Sequence, residues 1–95
     1  MRKQGRTDDN QTAIVAALRK IGASVAITSS VGDGFPDLLV GYRGTTTLLE
    51  LKNPKRPKHR QKLTEAEAYF MANWKGGPAM VVKDEHEAIA AVLKP

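Results

Sequence analysis

The strongest constraint on what this chain can fold into is a pair of apolar runs that nearly touch. Residues 37–41 (Asp-Leu-Leu-Val-Gly) and 46–52 (Thr-Thr-Leu-Leu-Glu-Leu-Lys) are rich in strand-forming residues, and only Tyr42-Arg43-Gly44-Thr45 separates them. So short a link predicts a β-hairpin. Whether the connection takes two residues or four, the register is the same and Asp37 faces Glu50. Directly opposed residues project from one face with Cβ atoms about 4.5–5.5 Å apart. Lys52, two residues further on, projects to that face as well. Leu49 and Leu51 then point to the opposite, apolar layer. A slip of one residue would send Asp37 through the sheet, so this end of the hairpin depends on its register.

The flanking segments supply the other elements. Ile14, Val15, Leu18 and Ile21 recur at helical spacing and predict a first helix over about 9–20, capped by Asp8 or Asp9 and ended by Gly22. A short strand is expected over 24–28, with Val25 and Ile27 on one face. The stretch 31–36, Val-Gly-Asp-Gly-Phe-Pro, reads as a turn; Gly32 and Gly34 are expected to serve its backbone rather than to approach a phosphate. Pro54 ends the second hairpin strand because it has no N–H for a ladder. Thr64 and Glu67 make a capping-box pattern for a helix whose Leu63, Ala66, Phe70 and Trp74 should lean on a core before Gly76-Gly77 stop it. A strand over 79–82 and a last helix follow, the helix capped by Asp84 with Glu87 and burying Ala88, Ile89, Val92 and Leu93. The order α-β-β-β-α-β-α predicts an α/β fold, a mixed β-sheet flanked by helices.

The length of 95 residues is that of one domain, 1–95. A domain so small buries only about 60–65% of the surface its unfolded chain exposes, and a partner subunit would thicken the core. The absence of cysteine excludes disulfides and thiolate metal sites. No run approaches the roughly 18 apolar residues of a membrane span, and the polar first ten residues lack the apolar centre of a signal peptide. The expectation is a soluble cytoplasmic protein. Segment 52–62 carries six lysines and arginines and no acid, more than the whole net charge of +5. A positive patch so concentrated suits a polyanion, and Lys55, Arg56, Lys58, Arg60 and Lys62 are the candidates for contact with nucleic-acid phosphates.

Two carboxylates held side by side repel when both are ionised, and a hairpin that places them so needs compensation. Mg²⁺ provides it: the ion prefers oxygen ligands and usually takes one or two carboxylates with water and substrate phosphates. Such an ion polarises a phosphoryl oxygen and lowers the pKa of a bound water. A lysine beside it can orient that water and stabilise charge growing on the transition state. Asp37, Glu50 and Lys52, followed at once by the basic segment, therefore point to phosphodiester hydrolysis.

Pro36-Asp37 and Glu50-Leu51-Lys52 resemble the two half-motifs of the PD-(D/E)xK nuclease superfamily. Within it, Gly34-Phe35-Pro36-Asp37-Leu38-Leu39-Val40-Gly41 and Leu48-Leu49-Glu50-Leu51-Lys52, with the Asp9-Asn10-Gln11 start and Leu63-Thr64, resemble the virus-type replication-repair nuclease (VRR-NUC) domains in their stand-alone phage or prophage form. The likeness implies a restriction-endonuclease-like core and Mg²⁺-dependent endonuclease action on DNA, with Mn²⁺ as a substitute. It implies Asp37 and Glu50 as metal ligands, the Leu51 carbonyl as a third, and Lys52 as the catalytic lysine. It further implies a homodimer that cuts branched DNA, four-way (Holliday) junctions above all; nicking or flap cleavage is the alternative of the same chemistry, and a catalytically silent DNA-binding module the alternative of another class. Two positions depart from the pattern. Many relatives carry a metal-binding glutamate on the first helix, where this chain has Asp8, Asp9, Asn10 and Gln11, and Gln11 is taken as its counterpart. Relatives often place a glutamine on the later helix, where this chain has Glu67-Ala68.

The remaining candidates are weaker. His59 lies in the basic loop and His86 in the first turn of the last helix; both are expected to be solvated, and with no Ser-His-Asp arrangement nucleophilic hydrolysis is set aside. Trp74 is expected in a core or an interface rather than stacked on a base. Ala13, Ala16 and Ala17 make the first helix suitable for close packing against a second copy.

Overall fold

The hairpin forms in the expected register. In the computed structural model, which describes residues 9–94, β2 (Leu38–Tyr42) pairs antiparallel with β3 (Thr45–Leu51), Leu38 opposite Leu49 and Tyr42 opposite Thr45. The turn is the two-residue one: Arg43 and Gly44 have φ of 50° and 81°, the doubly left-handed geometry whose twist matches a hairpin. The strands sit one residue later or earlier than their sequence limits, so Asp37 and Lys52 flank the ladder rather than belong to it. The cause is visible at Leu51, whose N–H donates to Asp37 Oδ2 at 2.8 Å. A carboxylate has taken the place of a ladder carbonyl.

The full order is α1 (Asp9–Lys20), β1 (Ser24–Ile27), β2, β3, α2 (Glu65–Asn73), β4 (Ala79–Val82) and α3 (Glu85–Leu93), with one 3₁₀ turn, Lys58–Arg60, inside the basic segment. The sheet runs β1-β2-β3-β4; the first three strands are antiparallel and β4 lies parallel to β3. A parallel pair needs a crossover, and the basic segment with α2 provides it. α1 ends as expected: Gly22, at φ 97°, closes it while the N–H groups of Gly22 and Ala23 return to the carbonyls of Arg19 and Leu18. Its expected caps, Asp8 and Asp9, lie outside the described side chains.

Strand alternation divides the sheet. One face offers Leu38, Val40, Leu49 and Val82, all buried, to Ile14, Val15 and Leu18 of α1 and Ala88, Ala91 and Val92 of α3. The last helix thus differs from its expected stripe. Leu93 is 53% exposed, because the 3.6-residue period that buries Ala88 brings Ala91 and Val92 to the sheet and turns Leu93 outward.

α2 lies on the other face, where Glu67 reaches the side chains of Glu50 and Lys52. Its capping box forms as predicted, Thr64 Oγ1 accepting from the Glu67 N–H and Glu67 Oε1 from the Thr64 N–H. Its expected core contacts largely do not: no residue of α2 is buried, and Ala66 is exposed. The helix ends at Asn73, with Trp74 as its C-cap. The Trp74 ring stacks on Phe70 at 5.1 Å, donates through Nε1 to the Gly77 carbonyl, and lies against Gly76, where any Cβ would strike it. Phe70 meets Phe35 edge-on at 5.2 Å. Trp74 therefore anchors the end of α2 on the surface, neither core nor open stacking platform. The loop before β2 approaches α2 just as closely. Gly34, at φ 80°, lies so near the Ala66 carbonyl that a side chain would collide with helix backbone, which adds close approach to the turn role expected of it.

Candidate active site

The site gathers where β2 begins and β3 ends. Asp37 precedes β2, held by its own carbonyl, which accepts the Thr28 N–H at 2.7 Å, and by its carboxylate, which takes the Leu51 N–H. Glu50 projects beside it from the last turn of the ladder and is 3% exposed. Lys52 follows, its N–H bound to the Val82 carbonyl at 3.0 Å. Its ammonium lies 3.6 Å from Glu50 Oε2 and 2.9 Å from Glu67 Oε1. Opposition of Asp37 and Glu50, and Lys52 on the same side, are as the register requires.

These residues form the floor of a cleft of about 380 Å³. Gln11, Leu51, Asn53 and Glu67 also line it, and Arg56, His59, Arg60 and Lys62 stand on its basic wall. The structure thus brings three of the five basic candidates to the cleft. Lys55 and Lys58 are exposed nearby without lining it. His59 and His86 are both exposed, as expected; only His59 belongs to the cleft.

Electrostatics marks the carboxyl pair. Burial, and then the neighbouring charges of Asp37 and Glu67, push Glu50 from its ordinary 4.5 to about 9. Burial also raises Asp37, against the opposing pull of the Leu51 N–H and a hydrogen bond with Glu50. The metal-free pair therefore keeps a proton at neutral pH, since two anions in this position cannot both be sustained. Burial would lower the Lys52 ammonium, but the Glu67 hydrogen bond and the surrounding carboxylates outweigh it, and its pKa is raised. Glu67 responds in the opposite sense: burial would raise it, while hydrogen bonds from Lys52 and Thr64 bring it below the usual carboxylate range.

The donor set suits a hard divalent cation. Among the described residues there is no cluster of three or more His, Asp or Glu arranged for a metal, but two carboxylates are what Mg²⁺ commonly takes from protein. A cation would relieve the repulsion that the proton now relieves. Gln11 adds a second sign. It is 7% exposed, lines the cleft, and its amide makes no hydrogen bond among the described residues. A buried amide without a partner costs about 1–3 kcal/mol, a cost that a bound cation, water or phosphate would remove. The Leu51 N–H is engaged on Asp37.

Sequence reasoning missed two contributors. Asn10 reaches the carbonyls of Lys52 and Lys83 at 3.4 Å each, tying the start of α1 to the ends of β3 and β4. Glu67 reads from the sequence as a cap and, by resemblance, as the place of the relatives' later-helix glutamine, but its contact with Lys52 spans fifteen residues and carries no local signal.

No family model matches the chain, and no curated protein does. A solved structure described as a VRR_NUC domain does match, with a TM-score of 0.54 and 26% identity over 88% of this chain and 90% of that one. The likeness extends over most of both chains; it shows a mixed α/β fold like that of the VRR-NUC domain and supports the resemblance read from the sequence.

Proposed function

We propose that this nuclease-type domain is a Mg²⁺-dependent DNA endonuclease, selective for branched structure, that resolves four-way junctions as a homodimer. The observation that carries the reading is the pair of adjacent carboxyls, half-buried Asp37 and buried Glu50, with the Lys52 ammonium beside them at the base of a cleft walled by Arg56, Arg60 and Lys62. Asp37 and Glu50 would hold the cation, with the Gln11 amide oxygen and the Leu51 carbonyl as further donors; Mn²⁺ would serve in its place. When bound, the ion supplies Lewis-acid polarisation of the scissile phosphate and an acidified water.

The protein's own groups do the rest. Arg56, Arg60 and Lys62, with Lys55 and Lys58 beyond the cleft, hold the phosphate backbone and position it without reading sequence. Lys52 donates toward the oxygen on which charge develops. The Leu51 N–H fixes Asp37, so the carboxylate need not reorganise. Two symmetric copies would present two such clefts to a symmetric junction, and the exposed Met80 and Val81 of edge strand β4 provide apolar surface for association. Among the described residues no helix is long and apolar enough to cross a membrane.

The test is to incubate the protein with a labelled four-way junction, a flap and a linear duplex, in Mg²⁺ and in EDTA. Metal-dependent cutting confined to the junction is expected. Cutting of the flap or the duplex instead would keep the chemistry and change the target; no metal-dependent product from any of the three would leave a DNA-binding module.

A further inference from the structure

Glu67 belongs to a helix cap, and the same carboxylate oxygen also serves the candidate centre. Oε1 accepts from the Thr64 N–H at 2.8 Å and from Lys52 Nζ at 2.9 Å. The Glu67 N–H is itself held by Thr64 Oγ1 at 3.1 Å, so both its backbone and its side chain are fixed. Lys52, by contrast, reaches the site on a long stem with much rotamer freedom to lose. Its side chain is 11% exposed and that of Glu67 20%, which leaves the contact largely sheltered from screening. A capping box is satisfied by Gln as well as by Glu; an ammonium neighbour is what gives an acid its advantage here.

We propose that Glu67 is a positioning residue, whose cap-fixed carboxylate sets the Lys52 ammonium beside the Asp37–Glu50 pair. Formation of the first turn of α2 and alignment of the amine then become one event. The inference rests on the nuclease reading above for its consequence, but the contact itself can be tested without it.

The experiment compares wild type with Glu67→Ala, Glu67→Gln and Glu65→Gln. Glu65 shares the first turn of α2 and is exposed, so its substitution controls for lost negative charge at the helix start. Three quantities are measured: the single-turnover rate on a labelled four-way junction in Mg²⁺, the Kd for that junction in EDTA, and the ¹⁵N resonance of the Lys52 ammonium in metal-free protein. Glu67→Ala is expected to slow cleavage about 100-fold, leave Kd unchanged and shift the Lys52 resonance. Glu67→Gln, which preserves the cap, should fall between, and Glu65→Gln should match wild type in all three. An unmoved Lys52 resonance in Glu67→Ala and Glu67→Gln, or equal slowing by Glu65→Gln, would overturn the proposal. If wild type cuts no DNA, the nuclease reading fails on its own, and the resonance still decides whether Glu67 holds the amine.

Discussion

Leu49 and Glu50 are neighbours on one strand and almost equally hidden, at 0% and 3% exposure, yet they act on the fold in opposite directions. Leu49 faces α1 and α3 among apolar partners, where burial of a side chain of its size contributes about 1.5–3 kcal/mol. Glu50 faces Asp37, and its burial is tolerated only because the pair retains a proton. A stretch of backbone one residue long separates a group that stabilises the domain from one that strains it. That contrast teaches where the function lies: a core position explains itself by packing, and a buried acid beside another acid does not.

The contrast can be broken most sharply at Glu50. Glu50→Gln is expected to lower the metal-dependent cleavage rate by about 10³-fold or more, and Asp37→Asn likewise, with junction affinity in EDTA retained in both. Normal cutting by either variant would misplace the site. In metal-free protein the same Glu50→Gln change should raise the thermal midpoint at pH 8, since it removes the acid whose proton must be retained. Leu49→Ala should do the reverse, costing about 2–5 kcal/mol of stability by chemical denaturation. If both substitutions destabilise alike, the two residues are ordinary core and the comparison collapses.

The hairpin's register was legible because two independent signals agreed: strand periodicity, and a link too short for anything but a tight turn. Asp37 facing Glu50 followed from that alone, without any relative. Gln11 was suggested by resemblance; that its amide is buried and without a partner among the described residues needed coordinates, because burial depends on how α1 meets the ends of β3 and β4. α2 was the least legible element. Ala66, Phe70 and Trp74 recur at helical spacing, but periodicity says which side of a helix is apolar, not how much surface waits to cover it. Here the facing part of the sheet is given to Glu50 and Lys52, so α2 rests on Phe35 and on its own Trp74 instead. Leu93 was misplaced because Ala91 and Val92 of the same turn take the sheet-facing side and leave it outward.

A pH titration of the metal-free protein gives a more graded effect. Glu50 has a folded pKa of about 9 against an ordinary 4.5, so between these values the folded state binds a proton that the unfolded chain has released. Stability must then fall as pH rises through that window, by no more than about 1.4 kcal/mol per pH unit, and level off above about pH 9. Mg²⁺ has to displace this proton, so its apparent affinity should rise with pH across the same range. Denaturation midpoints from pH 5 to 9 in EDTA check the sign, and Glu50→Gln should flatten the curve. A stability that climbs with pH would mean that Glu50 is ionised and paired in the free protein.

The smallest effect concerns Lys52, and it asks what neutralises the carboxyl pair when no cation is bound. The ammonium lies 3.6 Å from Glu50 and is fastened to Glu67 at 2.9 Å. For Asp37 and Glu50 alike, its charge weighs less than burial. If the retained proton does the neutralising, removing the amine should matter little to the fold. Lys52→Met is therefore expected to cost only about 1–2 kcal/mol, the loss of one charged hydrogen bond, at pH 7 in EDTA, while abolishing cleavage. A loss of several kcal/mol would identify a buried ion pair broken on one side. Glu50 would then belong with Leu49 as a stabilising residue, differing from it only in how it is satisfied.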